Sequence, residues 1–219
     1  YSPLAQITPN NVERLEKVWH YHTGDMRRPS DPNETTYEVT PLKIDDSLFI
    51  CTPHNFVIAL DAETGEERWR FDPQVPDSTN RQHLTCRGLS YHTSETPAEG
   101  QACQQRLFMP TADARLIALD PETGKVCESF GENGAVNLWK SMPNVTEGFY
   151  YSTSPPVVAN DLVIVGGAVN DNVSTTEPSG VIRAYDAITG ELKWNWDPGN
   201  PEQTAPIAPG ETYSESTPN

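Results

Sequence analysis

The sequence has few basic residues and no long hydrophobic run. Its 219 residues include 31 Asp and Glu but only 15 Lys and Arg, which gives a formal net charge of −16. This deficit argues against nucleic acid or an anionic membrane surface as a partner, because both are bound through a basic face. The pattern of these residues predicts no signal peptide, and they contain no run of about eighteen apolar residues, the length that a transmembrane helix needs. The acidity itself is interpreted as ordinary solubilising surface charge.

Cysteine is also scarce, and its spacing excludes several kinds of site. The four cysteines are Cys51, Cys86, Cys103 and Cys127, and none forms a CxxC pair. This argues against a zinc site or thioredoxin-like chemistry. Four cysteines allow three pairings, among which the sequence does not choose. Cys51 and Cys127 lie in strand-like runs and could equally be buried thiols.

One pattern recurs three times: a short apolar run, an Asp-x-x-Thr-Gly turn and a returning run. The copies are residues 55–69, 114–128 and 180–194, anchored by Asp61, Asp120 and Asp186. Self-similarity at a period of about 60 residues is typical of repeat architectures. Each copy predicts a β-hairpin, because the first run is rich in strand formers and the glycine permits the positive φ of the turn.

The aromatic residues of the hairpins indicate that each one packs on a neighbour. Trp69 and Trp194 fall on apolar positions of the returning strands, and an isolated hairpin cannot bury so large a ring. The second copy departs from the pattern, because Glu128 stands where the tryptophan would be. Trp19, near the start of the chain, matches Trp69 in its surroundings.

These repeats predict an all-β fold, a β-propeller, of which this chain supplies about three four-stranded blades. The predicted blades cover residues 35–72, 84–130 and 152–197. Residues 1–24 are predicted to form a short helix (8–15, with Thr8 as N-cap and Pro9 at the first helical position) and a ring-closing strand (18–23). Residues 198–219 are predicted to connect to a further blade, because propellers usually have four to eight blades.

Several motifs together resemble the quinoprotein alcohol and sugar dehydrogenases, which carry pyrroloquinoline quinone (PQQ) in an eight-bladed propeller. Within that family the segments 51–56 (CTPHNF) and 82–88 (QHLTCRG) are most similar to the membrane-bound, periplasmic, glucose-oxidising branch. The chain lacks the adjacent cysteine pair of the methanol-oxidising members. The other motifs are ITPNNV (7–12), HTGD (22–25), the three ALDxxTG-like hairpins, TSPP (153–156) and SGVIRAYD (179–186).

The resemblance implies oxidation of an aldose at C1 to the lactone, with PQQ and Ca²⁺ or Mg²⁺ as cofactors. It also implies ubiquinone as the electron acceptor and a location on the periplasmic side of the bacterial inner membrane, with a membrane anchor outside these residues. The catalytic aspartate of the family belongs to a later blade and has no match here. Two alternatives are a PQQ dehydrogenase acting on another polyol or on quinate, and a non-catalytic propeller scaffold.

The resemblance also assigns residues to the cofactor and the substrate. Arg87, Thr153, Gly167 and Ala168 match positions that bind or line PQQ, and His83 matches a histidine beside the substrate. A guanidinium suits the carboxylates and the ortho-quinone of PQQ, and an imidazole can hydrogen-bond a sugar hydroxyl. Taken alone, the same residues also fit a surface ion pair for Arg87, an ordinary strand position for Thr153 and a structural histidine for His83.

Asp171 and Asn172 match the segment that supplies the metal ligands in the family. Carboxylate and amide oxygens are suitable ligands for Ca²⁺ or Mg²⁺. One carboxylate is too little for a tight site, so further ligands are expected from PQQ or from later blades. Without the resemblance, a loop capped by Asx turns is the simpler interpretation of these residues.

Overall fold

A computed structural model describes residues 3–78, 80–94, 103–170 and 175–216. Within these ranges the chain forms one short 3₁₀ helix (Val12–Arg14) and sixteen β-strands, and none of its helical structure is long or apolar enough to cross a bilayer. The strands are β1 (Glu34–Thr35), β2 (Leu42–Ile44), β3 (Ser47–Cys51), β4 (Val57–Asp61), β5 (Glu67–Phe71), β6 (His83–Leu84), β7 (Ser90–Thr93), β8 (Gln105–Pro110), β9 (Arg115–Leu119), β10 (Ala135–Asn137), β11 (Tyr150–Tyr151), β12 (Val157–Ala159), β13 (Leu162–Val165), β14 (Ala168–Val169), β15 (Ile182–Asp186) and β16 (Leu192–Trp196).

Twelve of these strands form three antiparallel four-stranded sheets, each with its strands in sequence order apart from the interposed β14. The orders are β2-β3-β4-β5, β7-β8-β9-β10 and β12-β13-β15-β16. Two small sheets lie outside them: β1 pairs with β6 in parallel, and β11 pairs with β14 antiparallel. Consecutive four-stranded antiparallel sheets are the blades of a propeller, so the predicted all-β propeller fold is confirmed.

The predicted turn chemistry is present in all three hairpins, because Asp61, Asp120 and Asp186 each accept hydrogen bonds from the turn backbone and the following glycine has a positive φ. The carboxylate of Asp61 accepts hydrogen bonds from the backbone N–H groups of Glu63 and Thr64 at 3.0 and 2.9 Å, and Gly65 has a φ of 75°. The strand register shifts between Ala59 and Leu60, as expected for a turn followed by a bulge. The turn at Asp186 repeats this geometry.

The second blade is built differently after its turn. The chain that returns from the Asp120 turn makes a single bridge, between Leu119 and Val126, and β10 then pairs with β9 in the place of the fourth strand. Cys127 is buried there in a disulfide with Cys103. The predicted limits of 84–130 therefore leave out the outermost strand of this sheet.

Tryptophans join consecutive units, as their apolar positions predicted. The ring of Trp69 lies against Gly124 of the next hairpin, where a Cβ atom would be 2.6 Å from the ring. Its Nε1–H also donates to the carbonyl of Pro121 at 3.0 Å. Trp19 lies against Gly65 in the same way. The N-terminal segment thus packs on the first blade as the first blade packs on the second.

Of two predictions for the N-terminal segment, the helix is wrong and the ring-closing strand stays a prediction. The helix expected over residues 8–15 is only the 3₁₀ turn at Val12–Arg14, preceded by Asn11 rather than Thr8, and residues 18–23 form no strand. None of the residues in the 3₁₀ turn is buried. A short helix without a buried apolar face is not stable in water, and a strand needs a partner strand that the described residues do not provide.

The structure selects one of the three cysteine pairings that the sequence allowed. Cys51 pairs with Cys86, and Cys103 pairs with Cys127, so the alternative of buried thiols at Cys51 and Cys127 is wrong. The first disulfide joins β3 of the first blade to the segment that enters the second blade. It therefore crosses the interface between two blades immediately before Arg87.

Candidate functional site

The candidate site is built from three equivalent segments, each leading into the first strand of a blade. Residues 36–41 precede β2, residues 85–89 precede β7 and residues 152–156 precede β12. Backbone hydrogen bonds join them side by side, from Thr40 N–H to the Arg87 carbonyl and from Arg87 N–H to the Thr153 carbonyl, both at 2.9 Å. Two residues predicted for the cofactor, Arg87 and Thr153, are thereby brought into contact.

The side chain of Arg87 bridges the segments on either side of it. Its Nη1 donates to the hydroxyl of Thr153, and its Nε lies 2.8 Å from a carboxylate oxygen of Glu38. About 40% of each partner of this ion pair is exposed, 42% for Arg87 and 41% for Glu38. The ion pair considered for Arg87 does exist, but it lies where three blade segments meet rather than on an isolated stretch of surface.

Sequence reasoning missed Glu38. It lies in the segment that leads into the first strand of the first blade, as Arg87 and Thr153 lie in the corresponding segments of the second and third blades. Superposing the three units on their first strands, rather than on their hairpins, could have found it. The three segments carry a carboxylate, a guanidinium and a hydroxyl at this junction, so they bring three different chemical groups together.

Close packing surrounds this junction. Gly88 has a φ of 152°, and a Cβ atom there would lie 3.3 Å from the backbone oxygen of Thr40. The hydroxyl of Thr85 is buried and has no hydrogen-bond partner among the described residues. A buried polar atom without a partner carries a free-energy cost, so this hydroxyl marks a place where a further donor or acceptor would be favourable.

His83 lies on β6, in register with Glu34 of β1. Its ring Nδ1 is 2.5 Å from a carboxylate oxygen of Glu34, and 37% of its side chain is exposed. The hydroxyl of Tyr151 accepts from the backbone N–H of His83 and donates to its carbonyl, both at 2.8 Å. Burial raises the pKa of Tyr151, so the phenol stays protonated and can act as a donor.

Gly167 lies just before β14, and Ala168 is the first residue of that strand. Ala168 pairs with Tyr151 across β14 and β11, which places it close to the residue that holds His83. A Cβ atom at Gly167 would lie 2.2 Å from the ring of Tyr150. The close approach that this glycine permits is therefore used by Tyr150, whose hydroxyl donates to Val181 O at 2.9 Å.

The predicted metal ligands Asp171 and Asn172 lie outside the described residues. Asn170, just before them, is 5% exposed and donates from its amide to the carbonyl of Asn80 at 3.0 Å. Its side-chain oxygen is buried without a partner in the described part of the chain. Among the residues that the structure describes, no group of three or more His, Cys, Asp and Glu side chains is arranged to hold a metal ion. The metal site remains a prediction.

The motifs HTGD and CTPHNF meet in a buried cluster. His54 Nδ1 lies 2.5 Å from a carboxylate oxygen of Asp25, and its Nε2 lies 3.0 Å from one of Asp31. The side chains of His54, Asp25 and Asp31 are 8%, 2% and 3% exposed. This cluster ties the loop containing Asp25 and Asp31 to the turn that contains His54, so these motifs serve the fold.

Comparison with known sequences agrees with this geometry. Residues 1–219 match the PQQ family described as "Glucose/ethanol/alcohol dehydrogenase, beta-propeller domain". The chain belongs to this family. Its all-β propeller fold is thus that of a member of the PQQ propeller family.

Individual relatives match the whole chain but extend well beyond it. The chain is 43% identical to the quinoprotein glucose dehydrogenase of Escherichia coli over 223 residues, which is 100% of this chain and 28% of that protein. It is 41% identical to the large subunit of the glycerol dehydrogenase of Gluconobacter thailandicus, covering 100% of this chain and 30% of that subunit. The chain therefore spans less than a third of the length of these relatives.

Structural comparison gives the same assignment. The crystal structure of the quinohemoprotein alcohol dehydrogenase from Comamonas testosteroni superposes with a TM-score of 0.65 at 28% sequence identity. The superposition covers 90% of this chain and 25% of that one. This likeness supports the propeller fold for the part of the molecule that carries the candidate site.

Proposed function

We propose that this chain is part of a quinoprotein dehydrogenase that oxidises the C1 hydroxyl of an aldose, glucose first of all, to the lactone with PQQ. The observation that carries the proposal is the junction of three blade segments, where Arg87 is bonded to both Glu38 and Thr153. The 43% identity to a glucose dehydrogenase supports glucose as the substrate.

The residues of the junction fit the cofactor by their chemistry. PQQ carries carboxylates and an ortho-quinone, and a guanidinium offers donors in a fixed fork that matches such oxygens. Within the described residues the contacts of Arg87 use only Nε and Nη1, which leaves donors for a ligand. Thr153 orients the guanidinium, and the unpartnered Thr85 hydroxyl lies on the same segment. Gly167 and Ala168 are proposed to line the cofactor through their backbone.

We assign His83 to the substrate side of the site. Its ring is partly exposed, and it is linked through Tyr151 to the segment that contains Thr153. An imidazole nitrogen can accept from or donate to a sugar hydroxyl. No residue of this chain is proposed as the base that takes the proton from the C1 hydroxyl. That base is expected to be an aspartate of a later blade.

The remaining features are proposals at the level of the whole protein. Asp171 and Asn172 are proposed as ligands of Ca²⁺ or Mg²⁺. PQQ, when bound, supplies the two-electron oxidation chemistry, and ubiquinone is the proposed electron acceptor. The proposed location is the periplasmic side of the bacterial inner membrane, where an N-terminal anchor of the full-length protein would hold the propeller.

PQQ binding to the full-length apoprotein tests the proposal. Arg87→Ala is expected to weaken PQQ binding by about 10- to 100-fold, because a hydrogen bond to a charged group contributes about 1.5–3 kcal/mol. Arg68→Ala is the matched control, since Arg68 is also a partly exposed arginine, 33% exposed and paired with carboxylates. A protein that binds no PQQ, or an Arg87→Ala variant that binds as wild type does, would overturn the proposal.

A second candidate is oxidation of another polyol or of quinate by the same cofactor. It is favoured by the 41% identity to a glycerol dehydrogenase subunit, which is close to that of the glucose enzyme. Measuring kcat/KM of the full-length holoenzyme for glucose, glycerol and quinate decides between the candidates. A preference for glucose supports the first, and a preference for either of the others replaces it.

A further inference from the structure

The backbone of His83, on β6, is held by one buried side chain from β11. The hydroxyl of Tyr151 satisfies both the N–H and the C=O of His83, at 2.8 Å each. The Tyr151 side chain is 1% exposed, so these bonds are made out of contact with water. A single phenol that bonds both polar groups of one residue fixes the position and the rotation of that peptide segment.

The ring of His83 is oriented by a second contact. The Glu34 carboxylate, 2.5 Å from Nδ1, is acceptor-only when ionised, so Nδ1 carries a hydrogen. In the neutral ring, Nε2 is then the acceptor, and in the imidazolium form it is a donor. Nε2 has no hydrogen-bond partner among the described residues, so it is the ring atom left for a ligand.

The same tyrosine is tied to the cofactor side of the site. Tyr151 pairs with Ala168 across β11 and β14, and it lies two residues before Thr153, which bonds Arg87. The position of the His83 ring relative to the proposed cofactor residues is therefore set through Tyr151. Loss of its hydroxyl would leave two buried backbone groups of His83 without partners, and the segment would have to move to satisfy them.

We propose that Tyr151 and Glu34 are positioning residues for substrate binding, which hold His83 so that its Nε2 faces a sugar hydroxyl. Tyr151 fixes the backbone and Glu34 fixes the tautomer. This inference rests on the proposed function and on the role of His83 in it. Neither residue touches the reacting atoms, so both act through His83.

The test is a double-mutant cycle in the full-length holoenzyme at saturating PQQ. Tyr151→Phe is expected to raise the KM for glucose about tenfold with kcat within about twofold, the pattern of lost binding that is equal in ground and transition states. In a His83→Ala background the same substitution should add less than about twofold, because residues that act through one another are not additive. Glu34→Gln should behave alike, and since 63% of Glu34 is exposed, that variant is not expected to disturb folding.

Tyr91→Phe is the matched control. It also removes a phenol hydroxyl that takes part in a hydrogen bond, from Thr93 at 2.9 Å, but this pair does not contact His83. The inference falls if Tyr151→Phe and His83→Ala are additive, if kcat rather than KM changes, or if Tyr91→Phe has the same effect. If the enzyme oxidises glycerol or quinate instead of glucose, KM and kcat of the same double-mutant cycle are measured with that substrate. If it oxidises none of the three, the proposed function fails and this inference fails with it.

Discussion

Replacing Gly124 by alanine tests the contact that joins the first two blades. Gly124 has a φ of +70°, and a Cβ atom there would lie 2.6 Å from the ring of Trp69. Gly24 is a matched control, because its φ is +72° and a Cβ atom would meet nothing within 4 Å. The two substitutions share the backbone strain and differ in the collision with the tryptophan.

The expected losses of unfolding free energy follow from the backbone strain and from the collision with the tryptophan. A left-handed backbone costs an alanine about 1–2 kcal/mol, and this applies to both variants. Overpacking a close contact costs about 1–3 kcal/mol more, and this applies only to Gly124→Ala. The ring of Trp69 cannot easily retreat, because its Nε1–H is bonded to Pro121 O at 3.0 Å and it packs against Phe49 with the ring centroids 5.8 Å apart. Gly124→Ala should therefore cost about 2–5 kcal/mol in all.

Urea unfolding followed by far-UV circular dichroism measures the free energy of unfolding of both variants. The slope of that free energy against urea concentration is compared with wild type, because a changed slope would indicate a changed unfolded state. Combining Gly124→Ala with Trp69→Ala should cost less than the sum of the two single changes, because the smaller side chain removes the collision. Equal destabilisation by Gly24→Ala and Gly124→Ala would refute the reasoning, since it would mean that the ring does not press on the turn.

Two further predictions concern a covalent link and a titrating group. Replacing Cys51 and Cys86 together by serine should lower the free energy of unfolding by about 3–4 kcal/mol, since the bridge closes a separation of 35 residues. The same change should weaken PQQ binding, because Arg87 follows Cys86. Unchanged values for the urea midpoint and the PQQ affinity would contradict this prediction. Burial tends to raise the pKa of Asp197, but hydrogen bonds from Ser179 and Ser214 lower it overall, so its contribution to stability is present above about pH 4 and is lost as the pH falls through the lowered pKa. Asp197→Asn should therefore reduce the urea midpoint at pH 7 and flatten its decline in acid, and a variant with the wild-type pH profile would contradict the assignment.

The hairpins could be predicted from the sequence because their structure is encoded locally. An aspartate that caps the turn and a glycine four residues later that accepts positive φ suffice to fix Asp61–Gly65, with no information from the rest of the chain. The tryptophan contacts followed from the same pattern, since a ring of that size needs a neighbouring sheet. Local sequence patterns therefore predict the hairpins of the blades and the packing of each tryptophan on a neighbouring unit.

Features that depend on distant parts of the chain were not predictable in this way. The pairing of Cys51 with Cys86 depends on how two blades lie against each other, which neither spacing nor composition records. The place of β10 as the fourth strand of the second blade is a similar case, because β10 comes from residues beyond the returning chain and pairs with β9. The hydrogen bonds of Tyr151 to His83 join residues 68 positions apart, and no local pattern indicates them.

The position of the candidate site follows from which residues of a repeat are constrained by contacts between units and which are not. The hairpin residues are constrained where a turn receives the tryptophan of the preceding unit, as Gly65 receives Trp19 and Gly124 receives Trp69. The third turn has no such partner among the described residues, and its Gly190 lies against Gly131 and Val136 instead. The segments that enter the first strands are held mainly through backbone hydrogen bonds, such as that from Arg87 N–H to Thr153 O at 2.9 Å. A backbone bond accepts any side chain, so Glu38, Arg87 and Thr153 can differ while the scaffold stays the same. Residues that differ between the blades are therefore expected in these entry segments, and comparing the three segments with one another would have drawn attention to Glu38 from the sequence alone.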